Sequence, residues 1–494
     1  MFESAPVFKN MMSKIINSRK NEDQPTESEL MELEVQKRNF AGGMKQNASS
    51  DPLDFSSHPL MQKLSAVRSL SETFGIEDPY FRLHEHVQGT RATVKGIECI
   101  NYSVYNYLGF NDHPFLRNKV AEAVQTYGTS VGASRLVAGE RSFQLDLERR
   151  LAKLYDKDAA VVFVSGHATN VSTISTLFGS DDLIVYDGLS HNSIIEGIRL
   201  SRACFFPYAH NDLELLETIL INQRDKFHRA LIVTEGLFSM DGDIPDLDKL
   251  IEIKNKYSCF LMIDEAHALG VLGATGKGLH EYYAEKSMAV CQNEQHEIPK
   301  KNDSSVNAEK EHYDVDYLQK KREKMNYYAN EVDLWMGTLS KTLASCGGYI
   351  AADCRIIDIL KFGAPGFVYS VGLSAPMAVA ASTALELMEK SSERVNRLQH
   401  NARFFISKLK EHGLCTGRSA GYAVVPVIIG SSHKAVNISN ALYEKGIDVL
   451  PIIHPAVEEQ QARLRFFITS EHTEQDLGRT ADLLAEIAEK ENIL

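Results

Sequence analysis

Four segments carry side chains whose types and spacing suit covalent chemistry on a small molecule. In CFLMIDEAHALG (259–270), Asp264 follows an apolar run and His267 lies one helical turn further on. If that run is a strand of an open parallel sheet, its carboxyl end is where ligands gather. A carboxylate there could hold a heteroaromatic cofactor, because opposite charge beside a pyridine nitrogen keeps the nitrogen protonated and makes the ring a better electron sink. In VDLWMGTLSKTLASCGGYIAA (332–352), Lys341 stands among small and hydroxyl residues, with no other charge between Asp333 and Asp353. Most lysines are solvated surface charges. One in a dry pocket has a lowered pKa and can form a Schiff base. Thr338, just upstream, could bond a phosphate or support the imine. In VVFVSGHATNVSTISTL (161–177) an apolar strand runs into Ser165, Gly166 and His167 and then a helix, whose first N–H groups would cradle a phosphate. In VYDGLSHNSIIEGIRLS (185–201), His191 follows a strand and opens a helix, where it could stack on a ring and act as acid or base.

Two other motifs fail on context. Asp264-Glu265-Ala266-His267 spells the metal-binding box of helicases, but no GxxxxGK followed by Ser or Thr lies upstream. Gly128-Thr129-Ser130-Val131-Gly132 matches a nucleophile elbow, yet the residues before it, RNKVAEAVQTY, have helical rather than strand periodicity.

The elements that must position these residues follow from hydrophobic patterning. Near-continuous apolar runs at 159–164, 182–187, 203–208, 229–236, 259–266 and 347–352 alternate with amphipathic stretches. That pattern predicts an α/β domain with a mostly parallel sheet. The residues from 366 to the end, with strands at 423–430 and 463–469, read as a smaller α+β domain; Thr473 to Asp476 predict the cap of a final helix. Residues 1–95 read as a polar arm and helical extension, with one helix over Ser28 to Arg38, and 96–365 as the large domain. Within it, 281–330 is rich in Lys, Glu, Asp, Asn and Tyr and reads as an inserted surface excursion, partly helical at DYLQKKREKMNYY.

The chain has 494 residues, 44% hydrophobic and 24% charged, enough for two domains with sizeable cores. A net charge of -13 argues against unspecific nucleic-acid binding. Seven scattered cysteines without a CxxC pair suit a reduced, cytoplasmic setting. No metal-ligand spacing and no secretory leader is expected, and the uncharged run 364–385 reads as a loop and core helix, not a transmembrane segment.

In this order, YNYLGF, YGTSVGASRLVAGE, SGHATN, LSHNSIIEG, TEGLFSMDGDIPDL, IDEAHALGVLGATGKG, GTLSKTLASCGGY and ARLRFFITSEHT resemble the α-oxoamine synthase family, fold-type-I pyridoxal-phosphate enzymes. The resemblance spans roughly residues 80 to 485. It implies pyridoxal 5'-phosphate as cofactor, with Lys341 as the Schiff-base lysine, Asp264 at the pyridine nitrogen, His267 at the ring hydroxyl and His191 on the ring face. It places Ser165, Gly166, His167 and Thr338 around the phosphate, Ser239 at the cofactor, and Tyr105, Asn106 and Arg465 at the substrate, the arginine clamping a carboxylate. Ser370 would reach a phosphate across the interface of a homodimer. The implied reaction loses an α-substituent from an amino acid (serine, glycine or alanine) and joins the α-carbon to an acyl thioester, acyl-CoA or acyl-carrier protein, with decarboxylation. Tyr105-Asn106, before Tyr-Leu-Gly, is similar to serine palmitoyltransferases. GTSVGASRLVAGERSF and ARLRFFITSEHT are similar to synthase domains beside polyketide machinery. Gln144 stands where the family often has histidine, and His167 replaces a more usual aromatic. The alternatives are an aminotransferase or C–C lyase on the same fold, and a non-catalytic synthase-like subunit. The presence of Lys341, Asp264, His267 and His191 argues against the last.

Overall fold

The computed structural model describes residues 53–62, 64–65, 77–295 and 306–494. The helix expected over Ser28 to Arg38 lies outside the described residues. Residues 79–453 and 460–494 form one compact unit. In the other unit a short 3-10 helix, Phe55–Ser57, is capped by the Asp54 carboxylate, which accepts from Ser56 N at 2.8 Å, and residues 59–62 and 64–65 are α-helical.

Residues assigned by sequence to the arm are partly strand. β1 (His84–Gln88), β2 (Arg91–Val94) and β3 (Ile97–Asn101) form an antiparallel meander. The two residues between β2 and β3, Lys95 and Gly96, both have positive φ, the backbone of a tight hairpin turn that matches strand twist.

The central sheet holds β4 (Ala159–Phe163), β5 (Leu183–Asp187), β6 (Cys204–Tyr208), β7 (Ala230–Glu235), β8 (Phe260–Asp264), β9 (Leu334–Thr338) and β10 (Gly348–Ala352). Its order is β4-β10-β9-β8-β7-β5-β6, with β10 antiparallel to both neighbours and all other pairs parallel. This is the mostly parallel sheet the apolar runs predict. β5, β7 and β9 are buried along their whole length, as a strand covered on both faces must be. The strand inventory from apolar runs omitted β9, whose glycine and flanking polar residues interrupt the pattern. Trp335, its second residue, is fully buried and donates to Ala329 O at 2.9 Å.

Further along, β11 (Val424–Ile428), β13 (Pro451–Ile452) and β14 (Arg463–Phe467) form a small antiparallel sheet, while β12 (Ile447–Asp448) pairs back onto β3. The Thr473 cap is present: its Oγ1 accepts from Asp476 N at 3.1 Å and starts helix Glu474–Lys490. The uncharged run ends in the helix Ala375–Lys390, which extends five residues beyond it and is buried at Ala378, Ala381 and Ala384. No helix among the described residues is long and apolar enough to cross a membrane.

Where it is described, the charged segment 281–330 is more helical than the stretch DYLQKKREKMNYY alone: helices Leu279–Gln295 and Val306–Glu331 pack on each other. Their proximal turns belong to the core: Tyr283, Ala284 and Tyr328 are buried. Lys321 Nζ lies 3.0 Å from the buried Glu281 and 2.6 Å from Glu285. Residues 317–324 are mostly exposed, as their charge content predicts, whereas the pairing of charges across the two helices is invisible in a linear count.

Candidate active site

Strand order gathers the chemistry. Because β9, β8, β7 and β5 run parallel side by side, their carboxyl ends set Thr338, Asp264, Glu235 and Asp187 along one edge of the sheet. Glu235 and Asp264 are register partners. Asp264 is buried, and both its oxygens are engaged: Asn170 Nδ2 donates to Oδ2 at 2.8 Å and Ala266 N to Oδ1 at 2.9 Å.

Lys341 Nζ lies 2.8 Å from His267 Nε2, and the other ring nitrogen of His267 lies 2.6 Å from the Tyr107 hydroxyl. Burial pushes the Lys341 ammonium down to about 8; the Arg465 charge adds to that, and Asp264 and Glu235 oppose it. His267 is held well below the usual imidazole range, first by burial and then by Lys341 and Arg465. The Tyr105 ring closes this corner, its centroid 5.4 Å from Lys341 Nζ and 4.8 Å from the Phe467 ring.

His191 caps the helix Asn192–Ser201, accepting from Ser193 N at Nδ1, 3.2 Å. Ser193 Oγ lies 2.7 Å from the same nitrogen and accepts from Asn170 Nδ2 at 2.9 Å. The backbone N–H of His191 donates to Glu235 Oε1 at 2.7 Å, and that of Ser239 to Glu235 Oε2 at 3.2 Å. Partial burial beneath its exposed rim position lowers the His191 pKa. The buried Glu235 is pushed up to about 8, by burial first and by Asp264 second. Arg465, on β14, donates to Ser239 O at 3.1 Å and lies 4.7 Å over the Phe467 ring.

Next to this network, Ser165 caps the helix Gly166–Leu177, its Oγ accepting from Ala168 N at 3.4 Å. Thr338 Oγ1 donates to Gly347 O at 3.0 Å and lies 2.6 Å from Ser340 Oγ. A Cβ at Gly166 would come within 2.8 Å of Thr338 Oγ1, so the helix start can abut this hydroxyl only as glycine. The first N–H groups of a helix lack intrahelical acceptors, so helix start and hydroxyls are of a kind that can hold an anion.

The fold thus brings Lys341, His267, Asp264, His191, Ser239, Arg465 and Tyr105 together, with Ser165, Gly166 and Thr338 along the same sheet edge. His167 is exposed at the helix start. Asn106 is buried and its carbonyl accepts from Asn111 N at 3.3 Å, a bond within its own turn. Among the described residues, no hydrogen bond joins Ser370 to the others. Gln144 is fully buried and bridges Arg141 N (3.0 Å) and Leu373 O (2.8 Å). Sequence reasoning did not single out Tyr107, Asn170, Ser193 or Glu235. Only Glu235 carried a signal there, as an acid ending an apolar strand in the same way as Asp264.

An aldehyde-bearing pyridine with an anionic tail matches this donor set: a suppressed lysine for the aldehyde, a buried carboxylate for the ring nitrogen, an imidazole for a ring oxygen, and a helix start for the anion. The chain matches the family of class I and II aminotransferases over residues 97–484. It is 34% identical over 411 residues to the 8-amino-7-oxononanoate synthase of Thermoanaerobacter pseudethanolicus, covering 83% of this chain and 93% of that one. It is 36% identical over 409 residues to that of Geobacter sulfurreducens, covering 82% and 93%. Among solved structures, the serine palmitoyltransferase of Sphingomonas wittichii superposes with a TM-score of 0.76 at 23% identity, covering 90% of this chain and 100% of that one, a likeness of fold.

Proposed function

Because the chain belongs to the class I and II aminotransferase family and, within it, to the α-oxoamine synthases, we propose that the network around Lys341 is its cofactor and substrate site. The protein is a pyridoxal-phosphate-dependent enzyme that condenses an amino acid with an acyl thioester. The bound cofactor supplies an electron sink for the α-carbon of the amino acid. In our assignment Lys341 holds the aldehyde carbon, Asp264 the ring nitrogen and His267 the ring hydroxyl, while His191 stacks on the ring face. Ser165, Gly166, His167 and Thr338 receive the phosphate, and Ser239 lies beside the cofactor. Tyr105 and Asn106 shape the substrate mouth.

Lys341 is the base for the α-proton, since burial lowers its pKa to about 8 and so raises the fraction of free amine near neutral pH. His191 accepts at Nδ1 from a backbone N–H, so its neutral ring carries hydrogen on Nε2. That N–H polarises the thioester carbonyl. Arg465, with a planar fork and a lowered pKa set by burial, clamps the carboxylate of the amino acid. We further assign serine, glycine or alanine as amino acid, acyl-CoA or acyl-carrier protein as donor, and decarboxylation to an α-amino ketone. The working form is a homodimer in a reducing cytoplasm, with Ser370 serving the phosphate of the second site. Residues 96–365 act as the cofactor domain and 366–494 as the smaller domain.

The observation that carries this reading is the 2.8 Å approach of the Lys341 amine to His267 at the sheet edge that also holds Asp264. Reconstitution with pyridoxal phosphate should give a visible chromophore, absent in Lys341→Ala. Amino acid alone should then exchange its α-proton, and added thioester should release free thiol together with CO2. A colourless reconstituted protein, or keto-acid conversion without thioester use, overturns the reading.

A further inference from the structure

The hydroxyl of Tyr107 poses a question of hydrogen-bond accounting. Tyr107 is fully buried, and its hydroxyl has one partner among the described residues, His267 Nδ1 at 2.6 Å. If the ring donated from Nδ1, the phenolic hydrogen would be left in a buried site without an acceptor, which native structures avoid. The phenol therefore donates, Nδ1 accepts, and the neutral imidazole carries its hydrogen on Nε2. That nitrogen faces Lys341 Nζ at 2.8 Å. An N–H directed there can be accepted by a free amine; an ammonium would bring two hydrogens into opposition.

We propose that Tyr107 is a positioning residue that locks the tautomer of His267, so that the imidazole presents a donor to Lys341 and favours the free amine of that lysine over its ammonium, readying it for an aldehyde. Other groups face the lysine as well. Asp264 and Glu235 favour the ammonium, whereas burial and Arg465 disfavour it. The Tyr105 ring face, 5.4 Å away, attracts a cation. The tautomer lock adds to burial and Arg465 against these. The inference deepens the reading of Lys341 as the cofactor lysine and rests on it. The same Nε2–H is the donor that would meet the cofactor's ring oxygen.

The first test is neutron crystallography of the deuterated apoprotein, which locates the imidazole deuteron. It is expected on Nε2 of His267; a deuteron on Nδ1 alone overturns the proposal even if no variant folds. The second is the pH dependence of Lys341 labelling by fluorodinitrobenzene in the apoprotein, read by peptide mass spectrometry. Tyr107→Phe is expected to move the midpoint up by about one pH unit, slowing labelling at pH 7 by about tenfold. An unmoved midpoint in a folded Tyr107→Phe protein refutes the coupling. Neither readout uses pyridoxal phosphate. Failure to bind the cofactor would therefore sink the functional reading while leaving the tautomer lock to stand or fall by itself.

Discussion

Asn170 is the residue on which the buried polar network turns, and Asn170→Asp tests it without changing its shape. In the native protein its Nδ2 reaches Asp264 Oδ2 at 2.8 Å and Ser193 Oγ at 2.9 Å. The substitution places a carboxyl where the donating amide was, against a carboxylate that is almost fully buried. At that separation two charges repel by about 6 kcal/mol with an effective dielectric constant near 20, so the pair keeps one proton between them. At about 1.4 kcal/mol per pKa unit the shared proton is retained some four units above the ordinary carboxyl value, to near pH 8. Between about pH 4 and pH 8 the folded variant thus binds a proton that the unfolded chain has lost. Stability must fall as pH rises across that window, by about 1.4 kcal/mol per unit and about 5 kcal/mol in all, a large part of the total for an ordinary domain. The assay is the urea midpoint at half-unit steps from pH 5 to pH 8 for wild type, Asn170→Asp and Asn170→Ala. The alanine variant loses the same bonds without adding an acid, and its profile should run parallel to wild type, offset by about 2–3 kcal/mol. An Asn170→Asp profile that also runs parallel to wild type would refute the Asn170–Asp264 contact.

Other expectations rest on separate parts of the molecule. His210 lies between Asp187 (3.0 Å) and Asp243 (2.8 Å); although burial opposes it, hydrogen bonds to both acids raise its pKa to about 9. Its contribution is complete below the unfolded value of about 6.5 and fades as pH rises through about 9, so His210→Gln should lower stability by about 2 kcal/mol at pH 6 and by much less at pH 10, read from urea midpoints. Glu265 is fully buried and its pKa is pushed up to about 8, chiefly by burial. Glu265→Gln keeps an acceptor for Leu279 N, so its stability relative to wild type should improve from pH 5 to pH 8 in the same measurement, and a constant difference would count against burial as the cause. Gly166→Ala forces Thr338 aside. Equilibrium dialysis should show about tenfold weaker pyridoxal-phosphate binding with only about 1–3 kcal/mol lost in stability, and unchanged affinity would remove Thr338 from the anion cradle.

What could be read locally was read. The apolar runs that became β4 to β8 and β10 were legible because a strand covered on both faces needs nearly every residue apolar, a property of the run itself. Asp264 and Lys341 stood out on the same ground: an acid ending such a run, and a lysine with no other charge nearby. The Thr473 cap is likewise a local hydrogen bond. By contrast, β9 was missed because Gly337 and the polar residues on either side cut its apolar run to three residues, Leu334 to Met336. The buried turns around Tyr283 and Tyr328 were not legible in the charged segment 281–330, because Lys321 and the glutamates Glu281 and Glu285 neutralise one another only when the helices meet.

The site shows the same division. The amino-acid sequence determined which chemistries were present: an amine, an imidazole, a carboxylate and a phosphate-sized turn, each in its own segment. Tertiary structure decided which of them touch. Tyr107 meets His267, Asn170 meets Asp264, and Arg465 meets Ser239 across long stretches of chain. Those pairings exist because β9, β8, β7 and β5 lie in that order with their carboxyl ends aligned, and because β14 brings Arg465 back to them. Strand order is set by the packing of whole faces against helices, a sum over many weak contacts. No single residue announces it, so protonation states and hydrogen-bond partners, which depend on neighbours within about 3 Å, were decided only by the folded chain.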